Sequence, residues 1–392
     1  MSYCMKKLIL YIVYFFSFVP IYAIEQDSLQ WSLLTCQPGQ EIYQLFGHTA
    51  LRCQNFTKKM DVVFNYGMFS FNAPNFVIRF VEGKTDYELG VEKFCDFVSQ
   101  YKFRGTGIYY QTLNLTQSES ARLWNGLIEN YKPENRTYRY NYFYNNCTTR
   151  ARDMFEACID GNVVYQKREE VKSFRSIIHE FTKDSKWDEF GIDLLLGQDA
   201  DKPIDMRLQM FAPFYLLSYM RDAQIVTSVA TRNLVLSEGY LELFTNKSLP
   251  QGFVFSPLIC TILLLIITII IVAIEWKRKK IIWIWDLFFF GLQGIAGGII
   301  FFLMFFSSHP TVNSNWLFVL LNPIPLMYLP WMIYKDIKKK KDRYHYINIV
   351  YLIIFLILMS LVPQTFNASV ILLACSLLVT SIGHLIVYRI YK

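Results

Sequence analysis

The stretch Tyr144-Asn145-Asn146-Cys147-Thr148-Thr149-Arg150 runs straight into a helical pattern, Ala151-Arg152-Asp153-Met154-Phe155-Glu156-Ala157-Cys158. Asn146 suits a helix N-cap, because its side-chain oxygen can accept from the first turn, and Cys147 and Thr148 then become the first helical residues. The sulfur is thereby placed at the positive end of a helix. The dipole and the unpaired N–H groups there favour the thiolate and can hold an oxyanion. The bland alternative is a small buried hydrophobe or half of a disulfide, so the reading of Cys147 as a nucleophile depends on finding a base.

The best base is His48, in Leu45-Phe46-Gly47-His48-Thr49-Ala50-Leu51-Arg52-Cys53. A strand-like run after His48, a polar turn at residues 54–59 and a second strand-like run at residues 61–67 predict a hairpin. Centred between Phe56 and Thr57, the hairpin puts Asn65 directly opposite His48, where an amide can fix an imidazole tautomer. Cys147, His48 and Asn65 then form a nucleophile, base and orienter set. The set depends on register, since a slip of one residue turns Asn65 away; Asp61 is the reserve orienter.

A histidine on an early strand and a cysteine opening a later helix resemble the circularly permuted papain-like group that includes the lecithin:retinol acyltransferase family. More specifically, Phe46-Gly47-His48-Thr49-Ala50, Phe64-Asn65-Tyr66-Gly67-Met68-Phe69-Ser70-Phe71 and residues 140–153 resemble the bacterial Lnb family of membrane-bound lipoprotein N-acyltransferases. Phe190-Gly191-Ile192-Asp193 and Met210-Phe211-Ala212-Pro213 are similar to its later part. The resemblance implies an acyl group taken from a phospholipid donor, held as a thioester on Cys147, and passed to the N-terminal amine of a lipoprotein acceptor. It requires no cofactor and no metal.

Composition agrees with a membrane protein. Of 392 residues, 53% are hydrophobic and 17% aromatic, too apolar for an ordinary soluble chain. The formal net charge of +7 is concentrated beside hydrophobic spans, which points to membrane orientation rather than to nucleic acid. Lys6 and Lys7, an apolar run and the sequence Ile21-Tyr22-Ala23 read as an export signal over residues 1–23, cleaved after Ala23 or retained as an anchor.

Residues 24–250 read as one α+β domain. Strand-like runs cluster early, and a cap signal at Thr116-Gln117-Ser118-Glu119 opens the helical part. Its five cysteines, Cys36, Cys53, Cys95, Cys147 and Cys158, leave at least one thiol unpaired; Cys36 with Cys53 is a candidate bridge. Zinc-site spacings are absent from the sequence. Residues 183–207 read as a loop near the site or a solvated connector. Arg150 and Arg152 are candidate phosphate contacts or ordinary helix surface charges.

Residues 251–392 read as an all-α bundle of five spans, at 254–274, 284–306, 316–334, 347–362 and 370–388. Basic connectors at Lys277-Arg278-Lys279-Lys280 and residues 335–343 alternate with connectors at 307–315 and 364–369 that carry no lysine or arginine. The positive-inside rule puts the basic ones in the cytoplasm and the large domain outside it; the family resemblance implies that this is the periplasmic side of a bacterial inner membrane. Asn322-Pro323-Ile324-Pro325 is expected to break the third span. Asp286 is a candidate functional residue or an anchor, and His309 and His384 show no partners in the sequence. Two other functions fit the same residues: a membrane-anchored cysteine peptidase or amidase, and a noncatalytic exported sensor module. The sequence leaves the oligomeric state open.

Overall fold

The computed structural model describes residues 28–69, 74–243 and 255–390; the expected export signal lies outside them. The chain is mixed α+β, with a β-rich domain first and a helical domain second. Seven antiparallel strands form the main sheet: β1 (Leu29–Cys36), β2 (His48–Asn55), β3 (Met60–Met68), β4 (Asp86–Lys93), β5 (Ile108–Leu113), β6 (Thr137–Arg139) and β7 (Val235–Leu241). Their order across the sheet is β7-β5-β1-β2-β3-β4-β6.

Both faces of the sheet are covered, and alternation along the strands decides which residue meets which layer. Trp31, Leu33, Leu51, Phe64 and Leu89 join one buried cluster with Leu123, Leu127 and Phe155. The intervening Leu34, Ala50 and Val63 join another with Phe97 and Tyr101. The first cluster is closed by α3 (Gln117–Tyr131) and α4 (Cys147–Glu156), the second by α2 (Phe94–Arg104). Between β3 and β4 lies the short helix α1 (Phe76–Val81). The expected cap of α3 forms as a reciprocal pair, Thr116 N–H donating to Glu119 at 2.7 Å and Glu119 N–H donating to the Thr116 hydroxyl.

The five cysteines of this domain are all free. Cys36 pairs with His48 and Cys53 with Trp31 across the β1–β2 ladder. The two are therefore five strand residues apart, roughly 17 Å, and the candidate Cys36–Cys53 bridge is excluded.

Residues 183–207 are neither a loop beside Cys147 nor a solvated connector. They hold α6 (Lys186–Leu195) and a 3-10 turn at Gln198–Asp201, fastened to α5 (Phe174–Thr182) by Arg175. The buried Arg175 guanidinium donates to Asp193 at 2.7 Å, to Asp201 at 3.0 Å and to the carbonyl of Leu196 at 3.0 Å. This segment docks on the helical domain. Gly197 N–H donates to Thr311, Gln198 N–H to Ser314, Asn315 Nδ2 to the Leu194 carbonyl and Asn367 Nδ2 to Asp193. A side chain on Gly197 would place its Cβ 2.5 Å from the Ser314 carbonyl carbon. Gly197→Val is therefore expected to weaken the dock by about 1–3 kcal/mol, read as faster hydrogen exchange at 193–198 and 311–315. Unchanged exchange would show that the dock tolerates the clash.

The helical domain holds α8 (Pro257–Arg278), α9 (Trp283–Phe306), α10 (Ile324–Ile337), α11 (Tyr344–Leu358) and α12 (Ala368–Tyr388), after α7 (Pro213–Arg221) in the first domain. Among the described residues, four segments are long and apolar enough to cross a membrane. The fourth expected span is shorter, a helix of 15 residues. The third breaks where Pro323 removes an N–H: a single turn at Leu317–Leu320 precedes α10, and Asn322 covers the break by donating to Tyr351 and accepting from Ile324 N–H. The connectors that touch the β-rich domain are those without lysine or arginine; the basic ones lie at the other end of the bundle.

Two histidines that showed no partners in sequence have them here. His309 Nε2 lies 2.6 Å from the Phe80 carbonyl, joining α1 to the segment that follows α9. His384 is buried among Asp286, Asp336 and Tyr388.

Candidate active site

Asn146 supplies the N-cap of α4. Its Oδ1 accepts from Thr148 N–H and Thr149 N–H, each at 2.9 Å, and the Thr149 hydroxyl accepts from Asn146 N–H in return. Its Nδ2 donates to the carbonyls of Tyr142 and Phe211, so the whole amide is engaged and the start of the helix is fixed. Cys147 follows as the first helical residue. The expectation that several first-turn N–H groups receive an oxyanion needs correction: those of Thr148 and Thr149 are committed to Asn146, which leaves the N–H of Cys147 itself. The Tyr142 hydroxyl is a further donor, buried without a hydrogen-bond partner among the described residues and within electrostatic reach of Cys147.

His48 and Asn65 meet, though not in the expected register. The ladder pairs Leu51 with Phe64 and Asn55 with Met60, so the turn is centred between Thr57 and Lys58. Continued to the strand end, that register puts Asn65 beside Ala50, two residues along from His48 on the same face. A shift of two preserves the face. His48 Nε2 lies 2.6 Å from Asn65 Oδ1. Asp61, the reserve orienter, is elsewhere: both its oxygens are taken by Arg52, at 2.8 and 2.6 Å.

Glu92 on β4 was not among the expected site residues. It accepts from Asn65 Nδ2 at 3.1 Å through one oxygen and from Gln100 Nε2 at 2.6 Å through the other. A carboxylate can only accept, so it turns the Asn65 amide nitrogen toward itself and Oδ1 toward His48. His48 Nε2–H must then donate, leaving Nδ1 for the thiol. The alternation of Tyr87, Leu89 and Val91 with Glu88 and Glu92 was the available sequence signal for this strand.

Burial pushes the Cys147 thiol up. The positive charge of His48 outweighs it, together with hydrogen bonds from His48, the Thr49 N–H and the Thr148 hydroxyl, and brings the thiol down to about 7. For His48, burial opposes the charged form, but the Cys147 thiolate and hydrogen bonds to Cys147 and Asn65 raise its pKa. The thiolate fraction therefore grows as pH rises through about 7. Alkylation of Cys147 by iodoacetamide should climb over that interval and level off, whereas an unperturbed thiol would continue rising through about 8.5. A midpoint near 8.5 would show that His48 does not stabilise the thiolate.

Gly67 closes over this pair. Its φ of 92° lies in the left-handed region, where the β3–β4 register shifts, and a Cβ there would lie 3.6 Å from Cys147 Cβ and 3.9 Å from His48 Cε1. Arg152 is buried, donating to Asp153 and the Arg207 carbonyl. Arg150 stacks over Tyr138, with its guanidinium carbon 4.1 Å from the ring centre. Neither is an ordinary helix surface charge.

Aromatic rings lead from the site toward the helical domain. Tyr87 and Tyr140, both within electrostatic reach of Cys147, stack at 4.1 Å; Phe69 stacks on Tyr87 at 4.9 Å, Phe76 on Phe69 at 5.8 Å and Phe80 on Phe76 at 6.1 Å. Phe80 meets His309, and its neighbours Val77 and Ile78 are exposed.

No curated protein matches the chain, nor does any solved structure. Residues 21–180 match the Lnb N-terminal periplasmic domain and residues 248–390 match the Lnb transmembrane domain. With these two domains in this order around a docked pair of folds, the chain belongs to the Lnb family.

Proposed function

We propose that the protein is a thiol acyltransferase that moves a fatty acyl group from a membrane phospholipid, through a Cys147 thioester, to the N-terminal amine of lipidated lipoproteins. The observation that carries this reading is the junction of Cys147, at the start of α4, with a His48 oriented by Asn65. The dock of that domain against the helical bundle and the ring series from Tyr140 to Phe80 support an apolar substrate.

In the first half-reaction the thiolate attacks the ester carbonyl while the Cys147 N–H and the Tyr142 hydroxyl stabilise the oxyanion. Collapse breaks the ester C–O bond, and His48 gives its proton to the departing lysophospholipid oxygen. In the second, the amine attacks the thioester, His48 takes its proton, and the thiolate leaves. Asn65 holds the imidazole throughout. The protein acts as a multi-pass protein of the bacterial inner membrane, with the site on the periplasmic side, in keeping with the basic connectors at the opposite end of the bundle. An amide in place of the phospholipid ester, with water in place of the amine, would make it a peptidase or amidase using the same residues.

Mass spectrometry of lipoprotein N-termini from cells with and without the protein tests the reading. The N-acyl group is expected to disappear with the protein; an unchanged N-acyl group overturns the transferase assignment.

A further inference from the structure

We propose that the end of the helical bundle remote from Cys147 holds a divalent first-row transition-metal ion, zinc or manganese, between Asp286, Asp336 and His384. The three come from three helices: Asp286 from the first turn of α9, Asp336 from the end of α10 and His384 from the last turns of α12. All are buried, at 0%, 2% and 0% exposure. One donor atom from each lies within 4.8 Å of the others. His384 Nε2 is 3.1 Å from Asp286 Oδ1, and Nδ1 is 3.6 Å from Asp336 Oδ1. Ligand atoms about 2.1 Å from a tetrahedral ion sit about 3.4 Å apart, and an ion takes only one nitrogen of His384, so the single donor atoms, which lie within 4.8 Å of one another, draw together by side-chain rotation to close the set.

Charge and unused bonding capacity carry the assignment. Asp286 Oδ2 and Asp336 Oδ2 are buried with no hydrogen-bond partner. Among the described residues, neither carboxylate forms an ion pair with lysine or arginine; Lys335, next to Asp336, is held by Asp342 and Tyr328. Glu275 is also buried and within electrostatic reach of His384 and Asp286. Two carboxylates beside one imidazole leave net negative charge even when the ring is protonated, which apolar surroundings penalise heavily. A divalent cation removes that charge and uses the free oxygens.

The donor set chooses the metal. One imidazole with carboxylate oxygens suits zinc or manganese better than calcium or magnesium, which prefer oxygen alone, or copper(I), which prefers sulfur. Neighbours hold the ring in place. The Tyr388 hydroxyl lies 3.1 Å from His384 Nδ1 and 3.3 Å from Asp336 Oδ1. The His345 ring stacks on His384 at 3.7 Å, its Nδ1 being 3.3 Å from the Ser381 hydroxyl. The ion acts as a clip on α9, α10 and α12.

The test uses the full-length protein in detergent, in a Cys147→Ser background so that the Cys147–His48 pair cannot contribute a competing site. Elemental analysis should find about one zinc or manganese per chain, or restore it on titration after chelation, with a higher melting temperature when loaded. Asp336→Asn and His384→Gln should lower affinity at least about 10- to 100-fold. A cobalt-loaded sample should show visible bands of nitrogen and oxygen coordination, absent in His384→Gln. If the Cys147→Ser protein contains neither metal and takes up neither on titration, the proposal fails whatever the variants do. If metal binds equally well to folded Asp336→Asn and His384→Gln, it fails as well. Neither result touches the acyl-transfer reading, which concerns the other end of the molecule.

Discussion

Incubated with acyl-labelled phospholipid and no acceptor, the wild-type protein should accumulate label that hydroxylamine releases, and Cys147→Ser and His48→Ala should accumulate almost none. The expected loss is on the order of 10⁴-fold or more in rate, the scale seen when one member of a cooperating nucleophile and base pair is removed. The serine variant keeps the shape of the site but replaces a thiol that ionises near 7 with a hydroxyl that the single imidazole must deprotonate during attack. The alanine variant removes the charge and the hydrogen bond of His48, without which burial of the thiol is no longer outweighed. A peptide bearing a free N-terminal lipidated cysteine should then discharge the wild-type label faster than water does. Normal labelling of Cys147→Ser would exclude Cys147 as the acyl carrier; equal discharge by peptide and water would replace transfer with hydrolysis.

The second large effect is expected one step back from the imidazole. Positioned proton transfer contributes roughly 10²- to 10⁴-fold, so Asn65→Ala, which keeps the base and frees its ring, should forfeit on the order of 10- to 100-fold in labelling rate. Glu92 acts only through Asn65. Glu92→Ala should reproduce a large part of the Asn65 loss, because nothing then forces the amide oxygen toward His48, while Glu92→Gln should recover much of it by keeping an acceptor oxygen. Both deficient variants should also raise the pH midpoint of Cys147 alkylation, a change that a merely loosened fold would not produce selectively. If Glu92→Ala labels like wild type, Asn65 keeps its orientation without the carboxylate.

Local chemistry made much of this site readable. The Asn146 cap depends on residues within three positions of one another, and the triplet Cys147, His48 and Asn65 follows from a cap and a hairpin. The hairpin centre was misplaced by one position. Its consequence was small, because the resulting shift of two along the ladder returns the same faces to each other. Contacts made by packing were not readable. Asp286 and His384 are 98 positions apart and meet only because α9 and α12 lie in one bundle. The role of residues 183–207 was hidden for the same reason: its partners, Thr311, Ser314 and Asn315, belong to a connector between spans. Polar residues in a glycine-containing stretch read as solvated until something is found to cover them.

The edge strand β7 has a consequence for how the protein is made. It covers β5, yet it is the last strand of the sheet in sequence and ends only shortly before α8 begins. Phe211, which anchors the Asn146 cap, and Asp193 and Asp201, which neutralise Arg175, also lie beyond residue 180. A chain synthesised from its N-terminus thus carries His48 and Cys147 before the residues that complete their surroundings have been made. The edge of β5 is open to pairing with other chains, and the Asn146 cap lacks the Phe211 carbonyl, until the strand that precedes α8 has been made. A fragment ended at residue 180 is expected to keep that edge of β5 bare and to aggregate through it.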